Sequence, residues 1–170
     1  MPRAPTITQL GLLMRLNASV QISAKVDYAL RALVTLAAVE PAPLTADELA
    51  TAQGLPVRFL RTILDDLRRG QMVTSQRGTD GGYRLARGAM DITVGEVIRR
   101  LDGPLAEIRG SRPEATKYDG PAEALQDVWV AVRAVLREVL DGVTIAEVAS
   151  GKLPAHVKQL AARPEAWEPR

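Results

Sequence analysis

Apolar residues recur at helical spacing in four stretches of the chain. They are Val26, Leu30, Leu33, Val34 and Ala37; Leu60, Ile63, Leu64 and Leu67; Val94, Val97, Ile98 and Leu101; and Leu125 through Leu140. An i, i+3, i+4, i+7 rhythm places such residues on one face of a helix. Breaks fall where breakers stand. Pro41 and Pro43 end the first stretch, Gly70 the second, and Asp102-Gly103-Pro104 the third. Thr45 with Glu48, Thr93 with Glu96 and Thr144 with Glu147 have the spacing of capping boxes, which satisfy free N–H groups at helix starts. A short helix therefore opens at Thr45, and Gly54 supplies its left-handed stop. Pro56 suits the first position of the next helix, Val57 to Arg69.

The rhythm changes after Gly70. Met72 to Gln76 and Tyr83 to Ala86 read as two strands joined by Arg77-Gly78-Thr79-Asp80-Gly81-Gly82, whose glycines permit a tight turn. Helix, turn, helix and ribbon predict a winged helix-turn-helix, in a fold that is mainly α with a small β-wing. The glycine-rich tip is no nucleotide-binding loop, because it joins strands and lacks a following Lys-Ser/Thr.

The longest helix is predicted from Pro121 to Gly142. Leu125, Val128, Trp129, Val132, Val135, Leu136 and Val139 make a broader apolar stripe than one winged domain needs, so pairing with a second copy is expected. Trp129 reads as an interface anchor. A short helix follows and stops at Gly151. Residues 152–170, with Pro154, Pro164 and Pro169, read as a loosely attached tail.

Charge sharpens this picture more than composition does. The 170 residues carry a net charge of +2, which decides nothing about nucleic acid. Residues 51–87, however, hold 7 Arg against 3 Asp. Such local clusters, rather than totals, drive phosphate binding. Arg58, Arg61, Thr62, Asp65, Arg68 and Arg69 share the polar face of the helix opposite its apolar stripe. Guanidinium groups and a hydroxyl near a helix start suit a major-groove reader, and Arg77 is placed for phosphates or a narrow minor groove. Asp65 and Asp66 are expected to pair with Arg61, Arg69 or neighbouring groups. Phe59 is expected to be buried or half-buried. Arg68, Arg69 and Arg87 are open to a second reading as solvated charges.

The chain contains no cysteine, which excludes disulfides, thiolate metal sites and cysteine nucleophiles. With a single histidine and no nucleophile–base pair at workable spacing, an enzyme is not expected. The beginning of the chain holds no uninterrupted apolar run long enough to span a membrane. Residues 1–20 read as an N-terminal extension or a start assigned too far upstream, with Met14 or Val20 as alternatives, or else as an arm aiding dimerisation.

The run Gly54-x-Pro56-x-x-Phe59-Leu60-x-x-Ile63-Leu64-x-x-Leu67-Arg68-x-Gly70, followed by Arg77-Gly78-x-x-Gly81-Gly82-Tyr83-x-Leu85-Ala86, resembles the Rrf-two family of bacterial regulators (IscR/NsrR/CymR-like). The similarity extends from Ile22 to about Val148. It implies that Arg58, Arg61 and Thr62 read bases, while Ser23, Lys25 and Tyr28 touch the phosphate backbone. A helix start offers N–H groups to anions, which gives the latter a mechanism. Tyr28 has a second reading as core. Tyr83 either offers its hydroxyl to phosphate or packs its ring under the wing. Relatives often carry an acid at the position of Arg61, so a different operator preference is expected. The resemblance also implies an iron–sulfur cluster held by three cysteines in the loop matching Gly103 to Gly120. That loop has none, and His156 cannot build a mixed-ligand site alone. No cofactor is expected. The loop is open to reading as a degenerate sensor loop, a pocket wall, a cover or a loop with no ligand.

The organisation expected is therefore residues 1–20 as extension, 21–90 as the DNA-binding domain, 91–120 as a linking helix and degenerate loop, 121–151 as the dimerisation helix with a short helix, and 152–170 as tail. The function expected is that of a cytoplasmic, sequence-specific regulator, more a repressor than an activator. It would act as a homodimer on double-stranded DNA with near-palindromic half-sites. A small molecule or a protein is the possible effector. The alternative is a winged-helix protein-interaction module without an operator.

Overall fold

The computed structural model describes residues 22–78 and 81–169. Expectations for residues 1–20 lie outside them. The elements follow the order α1 (Ala24–Val39), α2 (Ala46–Gln53), α3 (Val57–Arg69), β1 (Val73–Gln76), β2 (Gly82–Leu85), α4 (Val94–Leu101), α5 (Leu125–Asp141), α6 (Ile145–Ser150) and α7 (Ala155–Ala161), with short 3₁₀ turns between some of them. The architecture is mainly α with a two-stranded antiparallel wing.

Local chemistry sets the boundaries. Thr45 and Glu48 form the full capping box at α2, and Gly54 closes that helix at φ +64°. Pro56 is the N-cap of α3 rather than its first helical residue. At α4 only half of the expected box forms. The Thr93 side chain accepts from the Glu96 N–H at 3.2 Å, but the Glu96 carboxylate is drawn away to Arg87. Gly70 caps α3 at φ −81°, and the next residue, Gln71, makes the left-handed turn at φ +56°.

Leu33 and Leu36 of α1, Leu49 of α2, the four apolar residues of α3, Met72, Val73, Ile92 and Val97 share one core. The wing is pinned to this core. Val73 pairs with Leu85 and Gln76 with Gly82, while Leu44 bridges Tyr83, whose N–H donates to the Leu44 carbonyl at 2.7 Å. Gly82 sits at φ +152°, and a Cβ there would stand 2.8 Å from the Leu44 carbonyl group. Only glycine allows that approach.

Three boundaries differ from expectation. α5 begins at Leu125, because Gly120–Ala122 is a separate 3₁₀ turn and Ala124 is the cap. The short helix α6 belongs to the winged domain's core rather than to a dimerisation unit. Ile145 is fully buried there, and its N–H donates to the Ile92 carbonyl at 2.9 Å. The expected loose tail carries α7 and a further turn, with Trp167 Nε1 donating to the Ala161 carbonyl at 2.6 Å. Pro154 is the N-cap of α7, and the His156 ring packs where a side chain on Gly142 would stand.

Candidate nucleic-acid interface

The reading helix α3 buries Leu60, Ile63, Leu64 and Leu67 and turns its polar side outward. Arg58, Arg61 and Thr62 are exposed on its first turns, and Arg77 is exposed at the end of β1. The structure thus displays the predicted helix cations and the wing-tip cation outside the core. Thr62 donates its hydroxyl to the Arg58 carbonyl at 3.3 Å, a helical back-bond that a polar partner can replace.

Asp65 and Asp66 pair with Arg69 and neighbouring basic groups, as expected, but Arg61 is not among their partners. Arg61 pairs with Asp47 of α2 at 3.2 Å, not with Asp65 or Asp66. The turn between α2 and α3 brings the two side chains together across fourteen positions of sequence. Asp65 pairs with Arg68. Asp66 pairs with Arg69 and, at 2.6 Å, with Lys25 of α1. The Lys25 ammonium, followed by Arg69, holds the Asp66 carboxyl below the ordinary carboxylate range. These pairs lie at the surface, where each is worth about 0–1 kcal/mol. A phosphate can therefore displace the carboxylates at little cost. Arg58, Arg77 and Arg84 form no ion pair among the described residues.

Three residues assigned to DNA contact have structural duties. Ser23 caps α1, its Oγ accepting from the Val26 N–H at 3.2 Å. Tyr28 is half-buried, set edge-on to Phe59 with ring centroids 5.8 Å apart and covered by the Arg31 guanidinium at 5.4 Å. Tyr83 is half-buried with its ring packed on the core under the wing. Both tyrosine rings thus pack against the core while remaining partly exposed. Phe59 corrects a further expectation. It is exposed, because the core side of α3 is filled by Leu60 and Ile63 while Phe59 leans on Tyr28. Arg87 is a clamp, donating to the Asp91 carbonyl at 2.8 Å and pairing with Glu96. Arg84 was missed. It is the outward residue between Tyr83 and Leu85 on β2, and strand alternation alone would have placed it there.

The dimerisation stripe divides in two. Leu125, Val128, Val132 and Val135 are exposed and Val139 is half-buried. Trp129 and Leu136 instead turn toward the loop after α4. Trp129 is half-buried and donates from Nε1 to the Tyr118 hydroxyl at 3.0 Å, so it anchors this loop. Among the described residues no helix is long and apolar enough to cross a membrane.

A sequence model described as "Rrf2: Iron-dependent Transcriptional regulator" matches residues 22–151. The chain belongs to the Rrf2 family. Relatives agree with this placement. A protein of Mycobacterium tuberculosis (strain H37Rv), provisionally named HTH-type transcriptional regulator Rv1287, is 49% identical over 142 residues, covering 83% of this chain and 88% of that one. CymR, an HTH-type transcriptional regulator of Bacillus subtilis, is 31% identical over 131 residues, or 76% of this chain and 90% of its own. Among solved structures, CymR (YrzC) of B. subtilis superposes with a TM-score of 0.67 at 30% identity, over 78% of this chain and 98% of that one. IscR of T. potens gives 0.61 at 30% identity, over 89% and 94%. Rrf2 proteins are DNA-binding transcriptional regulators, not enzymes, and this chain is one of them.

The iron in the family description would need ligands from this chain. No thiolate exists in the chain. Among the described residues no three His, Asp or Glu side chains gather as a ligand set. The one histidine, His156, has a buried Nε2 facing no polar partner and lies against Gly142. These donors do not fit an iron–sulfur cluster.

Proposed function

We propose that this regulator acts as a cytoplasmic homodimer that represses transcription by occupying a near-palindromic operator, without an iron–sulfur cluster. The observation that carries the reading is the state of α5. It has seventeen residues and none is buried, although eight of them form one apolar face. Leu125, Val128, Val132 and Val135 stay exposed while every other apolar stripe of comparable width is packed. Such a face on a well-formed helix favours a second copy of itself, and a two-fold dimer repeats α3 and its wing on the same duplex.

In this reading Arg58, Arg61 and Thr62 meet base edges and Arg77 and Arg84 follow the backbone beside the wing. Lys25 exchanges Asp66 for a phosphate. Arg61 leaves Asp47 on binding, so its pairing is a weak brake and not a barrier. The test is selection of binding sites from genomic DNA, followed by sedimentation of the chain with and without the selected duplex. Recovered sites with an inverted repeat and a sedimenting dimer are expected. Recovery of no enriched sequence, or capture of a protein partner without DNA, favours an interaction module instead.

A further inference from the structure

Two cavities open beside the exposed valines of α5, and they share a wall. One, of ≈ 440 Å³, is bordered by Ile98 of α4 and by Trp129, Val132, Leu136 and Leu140 of α5. The other, of ≈ 270 Å³, is ringed by four arginines: Arg99 of α4, Arg112 of the loop, and Arg133 and Arg137 of α5. Pro104, Leu105 and Ala106 line both. Together they reach the size of ordinary small-molecule sites, which combine an apolar body with a few polar groups.

The arginines outnumber the acids around them. Asp141 holds Arg99 at 2.7 Å and Glu114 holds Arg133. Arg112 and Arg137 form no ion pair among the described residues. Four guanidinium groups thus face two carboxylates, and the Glu114 carboxyl is lowered by its own backbone N–H, then by Arg133, with Arg112 adding to the field. Asp102 and Glu107 border the apolar chamber and not the arginine one. The Arg133 side chain is 11% exposed, so part of this charge is held away from water. Such an arrangement is suited to planar two-oxygen groups, which the guanidinium fork meets with paired hydrogen bonds.

The loop that forms the common wall is itself constrained. Gly103, Ala106 and Arg109 all take left-handed backbone, at φ +93°, +65° and +54°. For Ala106 and Arg109 that conformation is unfavourable, and residues held so gather at ligand sites and switches. Arg109 is steadied by stacking on Tyr118, whose hydroxyl receives the Trp129 indole. Leu105 is buried with Ile98 and Val26, the latter at the start of α1 beside Lys25. The wall of the chamber is thus part of the packing that seats the DNA-binding unit.

We propose that the joined cavities bind a small organic anion, a carboxylate or phosphate bearing an apolar chain or ring. Its acidic group lies among Arg99, Arg112, Arg133 and Arg137, and its apolar body rests on Trp129 and Leu136. The site lies within one chain and is independent of whether the protein contacts DNA.

The chain has two tryptophans. Trp167→Phe leaves Trp129 as the reporter, because Trp167 is 77% exposed and remote in sequence from the chamber. Octanoate, octyl phosphate and the uncharged octanol are titrated at constant ionic strength, following Trp129 fluorescence. At least one of the two anions should give a saturable change, with octanol at least tenfold weaker. In the double variant Arg112→Gln/Arg137→Gln, both exposed positions, the anion should bind at least tenfold more weakly while the thermal melt stays where it was. Equal binding of octanol, no saturable response to either anion, or an undiminished affinity in a stably folded double variant would overturn the proposal. Should the double variant lose its melt, each single substitution is read against the same tenfold criterion applied as threefold.

Discussion

Helices α3 and α5 carry similar apolar rhythms, yet the fold treats them in opposite ways. On α3, Leu60, Ile63, Leu64 and Leu67 are at most 1% exposed. On α5, Leu125, Val128, Val132 and Val135 are between 39% and 56% exposed. The polar faces differ as well. That of α3 is held by surface ion pairs that a phosphate can take over, whereas the α5 arginines beside the apolar stripe face a cavity of the same chain. Periodicity states that a face needs covering, and tertiary structure decides what covers it. In α3 the cover is α1, α2 and the wing; on one side of α5 it is the loop after α4, and the other side stays exposed.

Substitutions can break this comparison. Leu64→Ala should lower folding stability by about 2–5 kcal/mol, because it opens a cavity in packed surroundings, and denaturant melts measure it. Val135→Ala should leave the melt of the dilute monomer within about 0.5 kcal/mol, as for most surface changes. Val135→Glu should instead raise the dissociation constant of the dimer by tenfold or more, read by sedimentation across concentration. A Val135→Ala melt falling as far as that of Leu64→Ala would mean that α5 is packed within the chain after all.

On the polar side, Arg61→Ala should cost about 1–3 kcal/mol of binding and relax preference at one base pair of each half-site. Arg77→Ala should weaken all sequences alike and flatten the dependence of affinity on salt. Competition titrations with single-base operator variants separate the two patterns. Asp66→Asn works in the opposite direction. By releasing Lys25 and Arg69 it should tighten binding several-fold at low salt, by no more than about 1 kcal/mol, with the gain fading as salt rises.

The smallest effect concerns acid. Hydrogen bonds from the Thr45 backbone and side chain hold the Glu48 carboxyl below its ordinary value of 4.5. Thr144 does the same for Glu147. A carboxyl lowered in the folded state contributes stability that is complete above its unfolded value and disappears as pH falls through the folded one. The melting difference between the native chain and Glu48→Gln should therefore be constant at neutral pH and shrink below about pH 4.5. A difference that grew toward acid would reverse the sign argued for this cap.

The winged unit was legible in the sequence because its signals are local. Capping boxes three residues apart, Gly54, Pro56 and the glycine-tipped hairpin each fix a turn without reference to the rest of the chain. The pairings that tune the surface were not legible. Arg61 with Asp47 and Lys25 with Asp66 join helices whose relative placement no periodicity states. Trp129 illustrates the same limit. Its spacing puts it on the apolar side of the helix, but only the fold of the loop before α5 brings it to Tyr118. The four cavity arginines escaped notice because α4, the loop and α5 each contribute some of them. The prolines of the tail suggest a loose segment, but Pro154 stands at the N-cap of α7, where its missing N–H removes no helical hydrogen bond.

The most direct test of the central claim is a stoichiometric anisotropy titration of a genome-selected duplex, repeated across a range of salt. Two chains per duplex are expected, with an affinity that falls steeply as salt rises, since displaced phosphate counterions accompany every arginine contact. One chain per duplex, or an affinity indifferent to salt, would contradict it.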